Sequence, residues 1–492
     1  MAIETSMATP HLDGRPGPPG PGLLAMPAEL IDNVLAYLPP IELAKVLQVC
    51  RVLRDHAIKD IHWRRHVLSN IPANPVQSPY PCTSWYELFM AHYRYWFLTR
   101  NILWFCDRSL TGQLILVRYD QRRGCIEGFR LVATRIGDDD EPWLEDGDVR
   151  IQHFSPRLKL HLDWAELQFY ARASDNPVRT TPARTRWTAP TYRIARTTQS
   201  TRPPRNLFYP EQTLRCDDET DPRFCVYSVF SHAKPLDPES LARRMSGQYP
   251  YGQVWPPPAI PAHDRVRGSS GDSRAPSSEV LSTWRPSKRS EVSDTTFRIR
   301  QGVDYLENNT HAFRSGGLLA TYSTLDPALY TPTEEKPWRG IWVGDYNVHG
   351  CEFLLLHQPE LAEERDEEPL VRQENESEQE YRERFMAERV YRGRLEAIKL
   401  TGDPNVPRGE FTFVVEDLGP KGLARIGQQP PFQGARMVKS QGHVAGIGFA
   451  HDKYIDSQLI LISPNRLAQY WVDLGHISFL ERVDIHQFLV PT

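Results

Sequence analysis

Hydrophobic and polar positions follow two different rhythms along this 492-residue chain. From Leu23 to about residue 65, apolar side chains return every three or four positions: Leu30, Ile31, Val34, Leu35 and Leu38, then Leu43, Val46, Leu47 and Val49. That spacing places them on single faces of successive helices. Pro27 suits the first turn of a helix, where its missing N–H costs nothing. Pro39-Pro40 ends that helix, a second carries Leu43 to Val49, and a third runs from about Arg51 to Ile58. From about residue 100 the text changes to short runs rich in Ile, Leu, Val and aromatics, such as NILWFCD, GQLILVRYD, GCIEGFRLVATR and RLKLHLDW, separated by turn residues. These read as strands. Between the two regions, TSWYELFMAHYRYWF (83–97) predicts one helix capped by Thr83 or Ser84, with Trp85, Leu88, Phe89, His92 and Trp96 on a broad face.

The fold class expected is therefore α+β: a three-helix block over 23–66, a helical linker over 67–100, and a large antiparallel β-barrel-like domain over 101–492. A barrel and a sandwich both satisfy the strand pattern. SQLILISPNRLAQYWV predicts a hairpin turning at Pro464-Asn465, and the glycines of GHVAGIGF predict a bend or bulge.

Three stretches interrupt the strands, and residues 1–22 precede the helices as a Pro/Gly tail ending in GRPGPPGPG. Residues of about 172–205 and 235–290 are dense in Pro, Ser, Thr and Arg, and those of about 360–390 are acidic. Over 175–215 there are eight Arg against Asp175 and Glu211; over 360–390 there are 12 acidic and 5 basic residues. A basic arm for nucleic acid is one reading of the first. The compositional expectation for the tail and the basic insertions is solvated disorder, and for the acidic one an exposed helix or loop.

Length allows two or three domains with sizeable cores. A net charge of −4 gives no global pull toward nucleic acid or anionic lipid. The opening residues MAIETSMATPHLDG lack a basic segment followed by an apolar one, so no secretory signal is expected. Runs such as FLLL (353–356) are far too short for a membrane span. Seven scattered cysteines, none in a CxxC pair, fit reduced thiols in the cytoplasm or nucleus and argue against a structural zinc.

One stretch draws attention as chemistry: DYNVHGCEFLLLH, Asp345 to His357. Cys351 and His349 share a strand face, yet a nucleophilic pair needs an orienting third group that the sequence does not supply. His349 and Glu352 differ by three and point to opposite sides of a strand, so no metal is expected there. GxSxG and HExxH are absent, and GDPNVPRG (402–409) lacks the lysine of a phosphate loop and reads as a shaped turn. No cofactor is expected. The stretch reads as a turn, Tyr346 to Gly350, feeding a strand whose Phe353 and Leu355 share a face.

The helical block supplies a sharper signal. MPAELIDNVLAYLP, IEL, LQVCRVLRD and HW resemble an F-box nearly position for position, with Leu53 where the family often carries Trp. That resemblance implies docking on a Skp-type adaptor through Pro27, Leu30, Ile31, Val34, Leu35, Leu38, Pro39, Leu43, Val46, Val49, Cys50, Leu53 and Trp63. WRGIWVGDYNVHGCEFLLLH (338–357), AIKLTGDPNVPRGEFTF, GARMVKSQGHVAGIGF and RLAQYWVDLGHISFLERVD are similar to the cyclin-D-recognising F-box-only family. This second resemblance implies a non-catalytic barrel-like domain that binds a protein degron, within a cullin ubiquitin ligase. Candidate rim contacts, read from turn and strand positions, are Trp342, Tyr346, His349, Arg408, His443, Phe449 and Trp471. Two other functions stay open: an F-box scaffold that binds no cullin, and a β-barrel that holds a small ligand.

Overall fold

The structure is a computed structural model that describes residues 22–72, 76–106, 111–135, 140–171, 229–234, 289–301, 318–346, 349–360 and 370–491. The expected Pro/Gly tail up to residue 21, the insertion at 172–205, residues 235–288 of the second insertion and 361–369 of the acidic one lie outside these residues.

The N-terminal unit holds four helices rather than three: α1 (Ala28–Ala36), α2 (Pro40–Val46), α3 (Arg51–Ala57) and α4 (Asp60–Leu68). The chain swings to ψ 136° at Lys59, which separates α4 from α3. Cys50 caps α3, its Sγ accepting the Leu53 N–H at 3.5 Å. Asp32 of α1 ties the unit together, accepting from His56 Nδ1 at 2.7 Å and Lys59 Nζ at 2.6 Å.

The linker is likewise two helices where one was expected, α5 (Trp85–Ala91) and α6 (Trp96–Asn101). Ser84 caps the first, accepting the Glu87 N–H. The break at His92–Tyr95 leaves the apolar face intact, since Trp85, Leu88, Phe89, His92 and Trp96 are all buried. Trp96 Nε1 donates to the Phe89 carbonyl at 2.9 Å, closing the corner between the two helices.

Two antiparallel sheets follow. The first orders its strands β6-β3-β2-β1-β9-β8-β7, with β1 Leu103–Cys106, β2 Gln113–Asp120, β3 Cys125–Arg135, β6 Pro156–Tyr170, β7 Val229–His232, β8 Thr296–Gln301 and β9 Leu318–Thr324. Every residue of β1 and β2 is buried. Alternation explains it: Trp104, Cys106, Ile115 and Val117 meet the helices, while Leu103, Phe105, Leu114 and Leu116 meet the barrel. A sheet covered on both faces reads as a continuous apolar run, which blunts the usual polar–apolar alternation.

The second sheet contains a closed barrel. Its eight strands are β10 (Gly340–Asp345), β11 (Cys351–His357), β12 (Leu395–Lys399), β13 (Phe411–Val415), β15 (Arg436–Gly446), β16 (Ala450–Ser463), β17 (Arg466–Trp471) and β18 (His476–Arg482). Closure is made by β18 on β10, pairing Trp342 with Arg482 and Gly344 with Leu480. The earlier half of β18 instead pairs in parallel with β5 (Arg150–Gln152), which carries β4 (Asp140–Pro142), and β14 (Leu423–Ile426) adds to β15. Barrel closure removes most of the strand edges that would invite aggregation. The hairpin at Pro464-Asn465 stands as expected, Ser463 pairing with Arg466.

Part of the acidic insertion is ordered framework. Ser377 and Glu380 form a reciprocal capping box for helix α8 (Glu378–Phe385), which follows the short α7 (Pro327–Tyr330) in the chain. A π-turn continues it to Val390, and Phe385, Met386, Val390 and Tyr391 pack against the apolar residues of the barrel interior.

Candidate functional site

Two surfaces carry the functional candidates. The first is the outer side of the N-terminal helices. Along α1, Ile31 and Leu35 are buried, whereas Leu30 and Val34 on the other face are each 45% exposed. Tyr37, seven residues beyond Leu30, is 87% exposed, and Val49, Val52, Ile58 and Ile61 add further exposed apolar area. A helix apolar on both faces has more nonpolar surface than its own unit covers.

The thirteen residues expected to face an adaptor therefore divide. Pro27, Leu30, Val34, Pro39 and Val49 are exposed, and Leu38, Val46 and Cys50 are partly covered. Ile31, Leu35, Leu43, Leu53 and Trp63 are buried in the unit's own core and do not stand on its outer surface. Trp63 Nε1 donates to the Ala57 carbonyl at 2.7 Å, locking α4 onto α3. Tyr37, Val52, Ile58 and Ile61, not singled out in the sequence, are exposed apolar residues of the same unit, and Tyr37 follows Leu30 and Val34 on the same helical period.

The second surface is one end of the barrel. Along β15, Val438, Ser440 and Gly442 are buried while Lys439 and Gln441 are exposed, which identifies the inward-facing row. At one end the interior is apolar: Trp342, Leu354, Leu356, Leu395, Phe413, Val438, Leu459, Leu467 and Leu480 under the α8 cap. Toward the other end, that of the 345–351 and 400–410 loops, it turns polar. Ser440 and Ser457 hydroxyls meet at 2.7 Å, Gln469 Nε2 donates to Ser440 Oγ at 3.0 Å, and Trp471 Nε1 donates to Ser478 Oγ at 3.3 Å. Gly442 makes room for Trp471, since a Cβ there would lie 2.4 Å from its ring.

Across from them stands an ionic cluster. Lys399 Nζ is 2.7 Å from Glu352 Oε2 and 2.5 Å from Asp403 Oδ2, and 4.4 Å from the centre of the Tyr346 ring. Burial drives Glu352 well above the carboxylate range, against the pull of Lys399, and a hydrogen bond with Asp403 adds to the rise. Burial also pushes Asp403 upward, but Lys399, Glu352 and the Val406 N–H outweigh it and hold the group at about 2. Of the two acids, Glu352 is thus the more readily protonated. Asp403 Oδ1 also accepts from Asn405 and Val406, so GDPNVPRG is a shaped turn as expected. Gln469 Oε1 finds no hydrogen-bond partner among the described residues, leaving an acceptor inside the polar end.

Of the stretch Asp345–His357, Asp345, Tyr346 and Glu352 lie at this end, while Leu354 to His357 run toward the apolar one. Asp345 is spent on structure, its carboxylate taking Arg135 of β3 at 3.2 Å and the Gln152 amide of β5 at 3.2 Å. Phe353 and Leu355 share the outer face against the first sheet, and Leu354 and Leu356 point inward. His357 lies 3.5 Å from Glu396, away from His349, and burial lifts the Cys351 thiol to about 11. That is a poor nucleophile at neutral pH. Among the described residues, no group of three His, Cys, Asp or Glu could hold a metal ion.

Of the seven rim candidates, His349 is exposed and Tyr346 is half-buried, its hydroxyl 2.8 Å from Thr412 Oγ1. Trp342, Arg408, His443, Phe449 and Trp471 are buried, and their expected place on the rim is corrected. Trp342 faces the apolar interior under the Arg482 guanidinium, and Trp471 fills the space Gly442 leaves. His443 is held by the Phe411 carbonyl and stacked on Tyr454 at 4.4 Å, with the Phe449 ring edge-on to it at 5.6 Å. Arg408 packs beneath Gly112. Lys399, Asp403 and Gln469 were not singled out in the sequence, and Glu352 was weighed there only as a metal ligand. Lys399 at the end of an apolar strand was the available signal, because a lysine in a buried row demands partners.

Comparison with known proteins divides the chain in the same way. Residues 23–69 match the model of the F-box-like family. The N-terminal helical unit is an F-box-like domain. Residues 322–487 match the model of the Cyclin D1 binding domain, a match that runs from β9 of the first sheet through the barrel to the segment after β18. Among curated proteins, the chain is similar to Protein EXECUTER 2, chloroplastic, of Arabidopsis thaliana, 26% identical over 167 residues, or 33% of this chain and 23% of that protein. The protein of the same name from Oryza sativa subsp. japonica is 32% identical over 97 residues, 20% of this chain and 15% of that protein. The chain spans less than a quarter of the length of these relatives. An F-box-like domain joined to a cyclin-binding type of barrel supports a role in recognising proteins.

Proposed function

We propose that this protein is the substrate-recognition subunit of a cullin-type ubiquitin ligase, acting in the cytoplasm or nucleus. Its F-box-like domain docks on a Skp-type adaptor and its barrel domain binds a segment of a protein cargo. The observation that carries the reading is α1, whose Leu30, Val34 and Tyr37 lie exposed while Ile31 and Leu35 fill the core. Helix-in-groove recognition uses such a row of apolar anchors. The receptor itself does no chemistry. It raises the effective concentration of a cargo lysine at a reactive thioester carried by another subunit. For the cargo, the polar barrel end around His349, Tyr346, Lys399 and Asp403 is the favoured contact, because it joins exposed loops to a buried acceptor.

Affinity purification of the full chain from cells tests this. The account expects both the adaptor and the cullin in the eluate, with cargo proteins accumulating when Leu30 and Val34 are replaced by Asp. Recovery of the adaptor without any cullin would favour a scaffold instead.

A further inference from the structure

The chain does not stop serving the fold when the last barrel strand ends. After β18, Val483 N donates to the Ile341 carbonyl at 2.8 Å, and Val483 and Ile485 remain buried against the barrel's outer face. A turn at His486–Phe488 then carries Leu489 away from the barrel. Leu489 is 3% exposed and lines a small cleft together with Ile71, Pro72, Thr99, Ile102, Val117 and Tyr119. Ile71 and Pro72 are the exit of the F-box-like domain, Thr99 belongs to α6, and Val117 and Tyr119 belong to β2. Leu489 from the barrel domain therefore shares this cleft with the segment just after the F-box-like domain, with α6 and with the first sheet.

A buried guanidinium fixes the same segment. Arg118 of β2 is 8% exposed and pairs through Nε with the fully buried Glu127 at 2.8 Å. Its Nη1 donates to the Phe488 carbonyl at 2.9 Å and reaches the Val490 carbonyl at 3.5 Å. A buried guanidinium needs partners for its donors, and the main-chain carbonyls on both sides of Leu489 answer Nη1 as Glu127 answers Nε. The F-box-like helices and the inner face of the first sheet already share one continuous core, which includes Trp63, Val67, Ile71, Leu98, Ile115 and Val117.

We infer that Ile485–Val490 is a clasp that locks the adaptor-binding unit to the barrel and sets the angle between them. Its length of chain is anchored on the barrel at one end and on the exit of α4 at the other. The adaptor face and the cargo end then form one rigid body, and their separation is constant. If the receptor reading holds, that rigidity decides which cargo lysines come within reach of the ubiquitin thioester, and loosening the clasp broadens lysine choice while adaptor and cargo still bind.

Hydrogen exchange on the full chain tests the clasp without invoking the ligase. With Leu489→Ala, and with the harsher Leu489→Asp, amides of Ser69–Ile71 and of Thr99–Ile102 are expected to exchange about tenfold faster or more, while those of β11 to β13 stay within about twofold. Adaptor affinity measured on the same samples stays unchanged, which separates failure of the clasp from failure of the receptor reading. Unchanged exchange at Ser69–Ile71 in both variants overturns the inference. So does an equal rise across β11 to β13, since Leu489 would then be a general core residue.

Discussion

Lys399 Nζ stands 2.7 Å from Glu352 Oε2 inside the barrel, with both side chains nearly free of solvent contact. Asp403, also buried, holds the lysine from the neighbouring loop at 2.5 Å. Removing one member of a buried ionic group leaves the others uncompensated, and such losses run to about 3–5 kcal/mol. Lys399→Met is therefore expected to cost about 3–5 kcal/mol. Burial raises the Glu352 carboxyl well above its usual range, so Glu352→Gln, which mimics the protonated acid, is expected to cost under about 1 kcal/mol. Urea unfolding of the two variants decides it; equal losses would show that Glu352 is charged.

Gly442 and Trp471 make a second, purely steric test. A Cβ at Gly442 meets the indole at 2.4 Å. Overpacking of this kind costs about 1–3 kcal/mol. Gly442→Ala should lower stability by that amount and shift indole fluorescence. A neutral outcome would mean that Trp471 moves freely.

A pH dependence follows from His92. It is fully buried, its Nε2 donates to the Gly124 carbonyl at 3.2 Å, and burial, only partly opposed by that bond, lowers its pKa to about 4. In the unfolded chain it titrates near 6.5. Between those values the unfolded state binds the extra proton, so stability falls as pH drops from about 6.5 to about 4. Over that interval His92 contributes a loss of roughly 3 kcal/mol. Chemical unfolding between pH 7 and 5 measures the slope, and His92→Gln should flatten it; an identical slope in the variant would remove His92 as the cause.

Much of the architecture was legible because the chain announces it in period. Leu30, Ile31, Val34 and Leu35 mark a helix, and the strands from Gly340 onward alternate or run apolar. What the period could not say is which apolar face stays uncovered. Ile31 and Leu30 are equally hydrophobic, yet one is 2% and the other 45% exposed, and only packing against α3 separates them. The helix breaks at Lys59 and at His92–Tyr95 were hidden for the same reason, since the apolar stripe continues across both. The candidate cargo site was harder still. Trp342, Phe449 and Trp471 look like binding aromatics in text, but closure of β18 on β10 and the gap at Gly442 turn the two tryptophans inward, and Phe449 is buried edge-on to His443. The Glu352–Lys399–Asp403 group is assembled from strand β11, strand β12 and a loop, a convergence that spacing does not display.

The central claim rests on the uncovered face of α1, and binding of a purified Skp-type adaptor to the full chain, by calorimetry, tests it most directly. The account predicts a stable complex. Leu30→Asp with Val34→Asp should weaken it by about a hundredfold or more, as loss of buried anchors of roughly 3 kcal/mol or more implies, while leaving the melting transition in place because both positions are solvent-facing. No binding by the unaltered chain, or undiminished binding by the double variant, would contradict it.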